Sequence, residues 1–442
     1  MNSYTNRIKS YIFSSVHSPT TRLLVSESFW SISGAMVLQG LTFVAYIVAA
    51  RLVGQETFGE FGLVKSTAMT FSTYALFGMG ITAAKYIPEW LQSEKQNVGQ
   101  IIAFNYVFAT VSGFFFALFF FLTTPWICDH VINAPYLVGP FRLATILLFL
   151  ITVMGAQTGV LSGFHNFKAI ATTSMVVGLV TVPLFALGAI YGGVYGLVIA
   201  MITTTIVNIM MNARFVTLDK RKHGIIYDLK MASILPVLWK FTAPAALQGF
   251  LGAPILWICY LILTAQSQGL TELAVLIVAM QIYHMATFVQ SQTWRVFLAR
   301  LSGAVGQQDK RKCRQIARLS LILNCLSSLL IVIPIILLSR VLLGLYGSDF
   351  VSGTYVLITL CFSSFAFSLL CIPLQIMNSQ GKAWECLAIA LCGNVLLIVV
   401  SIVLMRHGYG AWGIAIAHLL SNSLQCLLSF LYLLIFDPRS LF

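Results

Sequence analysis

Lys65 and Arg295 stand well inside long apolar runs of this 442-residue sequence. Lys65 lies in Phe61 to Gly80, FGLVKSTAMTFSTYALFGMG. A lysine at mid-helix in a bilayer costs about 2.5–3.5 kcal/mol, so it faces a cavity, a partner or the interface. Counting from the end of its run puts it roughly 10 Å deep at 1.5 Å per residue, a depth at which the stem can also snorkel. Gln281, His284, Gln292 and Arg295 recur at spacings of 3, 8 and 3. On one continuous helix they share an arc of about 80°, a polar face that has to look into protein or water. Arg295, near the end of its run beside Trp294, can alternatively serve as an anchor.

The chemistry of this set is anion capture. Arg holds phosphate oxygens through two N–H groups and Lys acts as a point charge. The residues read as a ladder running from Arg295 past Gln292, His284 and Gln281 to Lys65. Lys240, at the mouth of another run, either extends the ladder or marks the interface. None of the thirteen Asp and Glu residues falls mid-run, which leaves His284 and His418 as intramembrane groups that titrate near neutral pH. Each is read either as an ion-coupling group or as a hydrogen-bonded packing residue. Carbonyls at a helix broken between Pro244 and Pro254 are an open alternative for sodium.

The elements that must position these residues are membrane spans. With 59% hydrophobic and 9% charged residues and a mean hydropathy of +0.90, the chain is an integral membrane protein. The polar first 25 or so residues lack the apolar core and cleavage site of a signal peptide. Nine cysteines show no metal-binding or redox spacing. Twelve apolar runs are long enough to cross about 30 Å of hydrocarbon. They lie near 27–50, 58–84, 99–124, 139–162, 167–190, 194–214, 237–264, 273–298, 316–339, 353–377, 384–405 and 410–436.

Charge orients them. With the N-terminus cytoplasmic, twenty of the 26 Lys and Arg residues fall inside and only Arg51, Arg142, Arg340 and Arg406 outside, so the positive-inside rule selects N-in, C-in. The net charge of +13 is therefore accounted for by topology and anionic lipid headgroups, without nucleic acid.

The two halves of the chain echo each other. GVYGLVIA from Gly193 matches GAWGIAIA from Gly410, 217 residues later. Gln157 pairs with Gln375, Glu56 with Glu272 and Gln100-Ile101 with Gln315-Ile316, at offsets of 215 to 218. The expected plan is an all-α protein of two parallel six-helix lobes, 27–215 and 237–436. A cytoplasmic segment 1–26, a basic linker 216–236 and a tail 437–442 complete it. A binding site then lies between the lobes near the midplane.

AARLVGQETFGEFGLVKS, LSGFHNFKAIA and the paired G-x-(Tyr/Trp)-G-(Leu/Ile)-x-I-A helices resemble Wzx-type O-antigen and polysaccharide repeat-unit flippases of the MOP superfamily, which have a MATE-like fold. The resemblance covers essentially the whole chain. It implies a bacterial inner-membrane protein that moves undecaprenyl-pyrophosphate-linked oligosaccharide from the cytoplasmic to the periplasmic leaflet through a cationic cavity. It also implies no cofactor beyond an H+ or Na+ gradient. The implied partners are membrane lipids, a polysaccharide polymerase and a chain-length regulator. Lipid II flippases carry two further spans, and none is read after Phe436; drug antiporters often carry an acid in the first span, and Gly34 to Ala50 has none. The alternatives are another lipid-linked-glycan or exopolysaccharide exporter and, as an enzyme, a membrane polymerase or glycosyltransferase. Short outward loops leave the enzymatic reading little room for a catalytic site, and the absence of a G-x-x-x-x-G-K-[ST] loop excludes an ATP-driven pump in this chain.

Overall fold

A computed structural model describes residues 19–93, 95–228, 242–266, 268–306 and 309–436. The described chain is helical because a backbone in hydrocarbon must satisfy its polar groups internally. The first half contains α1 (Pro19–Val53), α2 (Gln55–Leu76), α3 (Met79–Ser93), α4 (Lys95–His130), α5 (Val138–Gly163) and α6 (Phe167–His223). The second half contains α7 (Ala243–Thr264), α8 (Gly269–Ala286), α9 (Phe288–Gly306) and α10 (Lys310–Leu337). A short α11 (Ser339–Gly344) then leads to α12 (Thr354–Ser379), α13 (Ala383–Arg406) and α14 (Gly410–Phe436).

Among the described residues, nine helices are long and apolar enough to cross a membrane, where twelve runs were expected. Three local causes account for the difference. The fifth and sixth runs form the single 57-residue α6, bent at Gly193, where φ is 51° and ψ −127°. The second run breaks at Phe77 and Gly78 (φ 46° and 71°) into α2 and α3, and α2 is made polar by Glu56, Glu60 and Lys65. The seventh run lies partly in 229–241, outside the described residues. The first part of the expected linker is helical, since α6 continues through the basic stretch to His223 and stops at Gly224 in the left-handed region.

The eighth run is not one helix either. It is interrupted at Thr287 (φ −90°, ψ 1°), whose hydroxyl donates back to the Tyr283 carbonyl at 3.0 Å. Such back-bonding bends helices, and it divides the expected set, with Gln281 and His284 on α8 and Gln292 and Arg295 on α9.

Gly193 and Gly410, equivalent in the paired motif, both adopt positive φ, 51° and 43°. Each lies against the start of the preceding partner helix, Gly193 beside Thr57 of α2 and Gly410 beside Glu272 of α8. A side chain at Gly410 would overlap the Glu272 carboxylate, so this close approach requires glycine.

Within each half the helices pack side by side, α1 along α6, α5 along α6, α12 along α14 and α13 along α14. The halves meet chiefly where α2 packs on α8 and α7. Aromatic rings also meet across the halves between α1 or α2 and the segment after α11, with Phe43 edge-on to Tyr346 at 5.7 Å and Phe58 edge-on to Phe350 at 6.3 Å. Such pairs contribute about 0.5–1.5 kcal/mol each beyond area burial.

Candidate functional site

Helix α2 begins after a turn at Gly54 (φ 81°), which lets the chain reverse out of α1. Lys65 follows ten residues after Gln55, about 15 Å along the axis at 1.5 Å per residue. Its ammonium does not reach back toward the helix end. It lies 4.6 Å from the centroid of the Tyr46 ring on α1, a cation–π contact.

Lys65 and Tyr46 line a cavity of about 520 Å3 between the two halves. Gln39 and Thr42 of α1 line it from the first half, and Trp257 of α7 with Gln281 and His284 of α8 from the second. The Trp257 indole donates to the Thr67 hydroxyl at 2.8 Å, one of the bonds that tie the halves together behind the cavity. His284 is exposed to this space and Lys65 half-exposed. Gln281 is oriented by the Tyr346 hydroxyl, which donates to its Oε1 at 3.5 Å. Among the described residues no carboxylate lines the cavity, and Lys65 brings a positive charge to its wall.

The structure therefore brings Lys65, Gln281 and His284 together. Gln292 lies past the Thr287 interruption, with its amide nitrogen 3.5 Å from the Ser291 hydroxyl, and is not on the cavity wall. Arg295 is in α9, but its side chain, like all of Lys240, lies outside the described residues. His418 sits behind the cavity rather than in it. Its Nδ1 is 2.8 Å from the Ser363 hydroxyl, which also accepts from Asn422 at 3.0 Å. The Tyr283 ring separates the two histidines, 5.5 Å from His284 and 5.0 Å from His418 by ring centroid.

Above the cavity, toward the α1–α2 turn, the halves close on each other. Gly59 packs against the Leu270 carbonyl and Gly62 against Ile277. The Gln55 amide donates to the Thr271 carbonyl at 3.2 Å. Arg51 crosses from α1 to the end of α11, donating to the carbonyls of Leu345 at 2.6 Å and Gly344 at 3.3 Å. It thereby occupies carbonyls that a helix C-terminus leaves unpaired.

Two acids that the sequence placed merely at helix ends prove to be built in. Glu60 is buried in the second turn of α2, where it accepts a 2.6 Å bond from the Tyr136 hydroxyl. Glu272 accepts from the Ala411 amide and caps α14. The Glu56–Glu272 repeat was the only sign of the latter. Among the described residues, no group of three or more His, Cys, Asp or Glu is placed to hold a metal.

Two helical halves around a shared cavity are also the arrangement of known solved structures. The chain superposes on an inward-facing multidrug-resistance MATE transporter of the MOP superfamily with a TM-score of 0.79 at 14% identity, covering 91% of this chain and 97% of that one. The outward-facing form of such a transporter gives 0.67 at 15% identity over 93% and 94%. A MOP-superfamily transporter from Pyrococcus furiosus, described as having reverse polarity of the binding pocket, gives 0.68 at 15% over 93% and 94%. The fold is thus MATE-like, and among the described residues nine helices are long and apolar enough to cross a membrane.

Residues 24–235 match the family described as "Polysaccharide biosynthesis protein". The EPS I polysaccharide export inner membrane protein EpsE of Ralstonia nicotianae is 24% identical over 93% of this chain and 94% of that protein. EpsE of Ralstonia solanacearum is 24% identical over 93% of each chain.

Proposed function

We propose that this protein is a flippase for undecaprenyl-pyrophosphate-linked oligosaccharide repeat units of an O-antigen or related surface polysaccharide, carried from the cytoplasmic to the periplasmic leaflet. The observation that carries this reading is the polarity of the cavity: Lys65 and His284 on its walls and, among the described residues, no carboxylate. Such a cavity repels cationic drugs and supplies the counter-charge that a pyrophosphate needs. The match of residues 24–235 to polysaccharide biosynthesis proteins supports a glycan cargo.

In this reading the fold comprises twelve spans, N-in and C-in, in lobes 27–215 and 237–436 joined by 216–236. The α1–α2 turn then faces the periplasm, and the contacts of Arg51, Gln55, Gly59 and Gly62 are the closed outer gate. Arg295 and Lys240 take up the anion from the cytoplasmic side, and Lys65 receives it. Coupling to an H+ gradient runs through His284, with Na+ as the other candidate ion. Partner proteins would be the polymerase and chain-length regulator that use the delivered unit. The full-length match to EpsE favours, as a second reading within the same mechanism, an exopolysaccharide unit rather than an O-antigen.

The test is reconstitution into liposomes with fluorescent undecaprenyl-pyrophosphate-linked oligosaccharide in both leaflets and a quencher outside. Wild-type protein should expose the inner pool, and Lys65→Ala should not. Equal exposure with protein-free liposomes would overturn the proposal.

A further inference from the structure

We propose that a second recess, beside the α1–α2 turn, is a docking site for the sugar portion of the exported molecule. It would take neutral or amino sugars and exclude phosphate. The ligand class rests on the lipid-linked-glycan reading above, while the recess itself stands on its own geometry.

The recess holds about 500 Å3, within the 300–1,000 Å3 range of small-molecule sites. Tyr409 and Trp412 of the α14 start, Glu272 of α8, Ser352 and the first-half residue Gln55 line it. Its aromatic wall is held in place. The Trp412 indole N–H donates to the Thr359 hydroxyl at 3.0 Å. The Trp412 ring meets Tyr409 at 5.5 Å and Tyr355 at 5.9 Å by centroid. Tyr409 and Trp412 nonetheless stay 43% and 38% exposed. An immobilised ring beside hydrogen-bonding groups is what a pyranose needs, since its C–H face packs on an aromatic face while its hydroxyls reach amides and a carboxylate. Glu272 is fixed by its bond from the Ala411 amide, and its negative charge opposes a phosphate.

The recess and the cavity are thus opposite in sign and joined by one element. Glu272 and Gln281 are nine residues apart on α8, about 14 Å at 1.5 Å per residue. A molecule with a pyrophosphate at one end and sugars at the other matches this order of charge. Tyr and Trp also collect at membrane interfaces. A plain interfacial belt accounts for exposed rings but not for a recess that combines them with a fixed carboxylate and an amide from the other half of the chain.

The experiment uses full-length protein in detergent and two probes. One is the oligosaccharide released by mild acid from the producing cell's lipid-linked intermediates, which has neither lipid nor phosphate. The other is farnesyl pyrophosphate, which has no sugar. The oligosaccharide should bind wild-type protein, at least tenfold more weakly to Tyr409→Ala and Trp412→Ala, and to an intermediate degree to Trp412→Phe, which keeps a ring in the wall. Farnesyl pyrophosphate should ignore these changes and lose affinity in Lys65→Ala. No oligosaccharide binding by wild-type protein, or equal binding by a Tyr409→Ala/Trp412→Ala double variant, overturns the proposal and leaves an interfacial belt. Farnesyl pyrophosphate binding that does not depend on Lys65 would instead count against the cavity assignment.

Discussion

The Lys65 ammonium rests on the face of Tyr46, 4.6 Å from the ring centroid, at the wall of the cavity between the two halves. A ring face compensates a desolvated cation by about 0.5–2 kcal/mol, less than a full counter-ion would. The charge is held in place yet remains available to an anion. Lys65→Ala should therefore weaken binding of a pyrophosphate probe roughly 10- to 100-fold, because a charge-assisted contact contributes about 1.5–3 kcal/mol. Tyr46→Phe keeps the ring and should behave like wild type in the same titration. Tyr46→Leu should show a smaller loss than Lys65→Ala.

The two histidines should separate by phenotype. His284 faces the cavity beside Lys65, whereas His418 is engaged with Ser363 and Asn422 behind Tyr283. His284→Gln retains a hydrogen-bonding side chain but does not titrate, so vesicles carrying it should bind substrate and lose stimulation by a pH gradient. His418→Gln should lower thermal stability by about 1 kcal/mol through the lost core hydrogen bond, with gradient dependence preserved. Unchanged gradient dependence in His284→Gln would remove its coupling role.

Much of the architecture was legible in the sequence, and much of the site was not. Gly193 and Gly410 could be paired by their motifs, and both proved to sit at positive φ beside the partner helix. Lys65 stood out because a charge in an apolar run needs a reason. Tyr46, Trp257 and Tyr346 did not, because aromatic residues occur along nearly every span and only packing separates those that line the cavity from those in the core. The face drawn through Gln281, His284, Gln292 and Arg295 assumed an unbroken helix, and no local residue preference announces the turn at Thr287. The Arg51 contact joins residues 294 apart, beyond anything spacing can reveal.

Closure at the α1–α2 turn makes a prediction about two glycines. A methyl at Gly59 would overlap the Leu270 carbonyl, which is helix backbone, while one at Gly62 would meet only the tip of the Ile277 side chain. Gly59→Ala should prop this end open, and a cysteine placed at Gln281 should become reactive to a membrane-impermeant thiol reagent from the periplasm. Gly62→Ala should be tolerated, since Ile277 can change rotamer at a cost of order 1 kcal/mol. Equal labelling of both variants and wild type would show that this contact is not the gate.

Arg51 should act in the same direction by a different route. Arg51→Ala leaves the carbonyls of Gly344 and Leu345 to water, which is inexpensive at an exposed site, so the protein should remain folded with its gate weakened. Labelling from the periplasm should rise, and Arg51→Lys, with one donor group instead of a fork, should restore closure only in part.

Topology is checked by cysteines at Lys222 and Lys310, which should be labelled only after the cytoplasmic side is opened, and at Gln268 and Ser348, which should be labelled in intact cells once the outer membrane is permeable. An outward location for either basic position would reverse the gate assignments above.

The most direct test of the central claim is to delete the gene and measure, by leaflet, the undecaprenyl-linked oligosaccharide of the inner membrane together with surface polysaccharide. Transport by this protein predicts loss of surface polymer and single repeat units confined to the cytoplasmic leaflet, both restored by the wild-type chain and not by Lys65→Ala. Single units accumulating on the periplasmic leaflet of the deletion strain would contradict it, because the missing step would then be polymerisation rather than translocation.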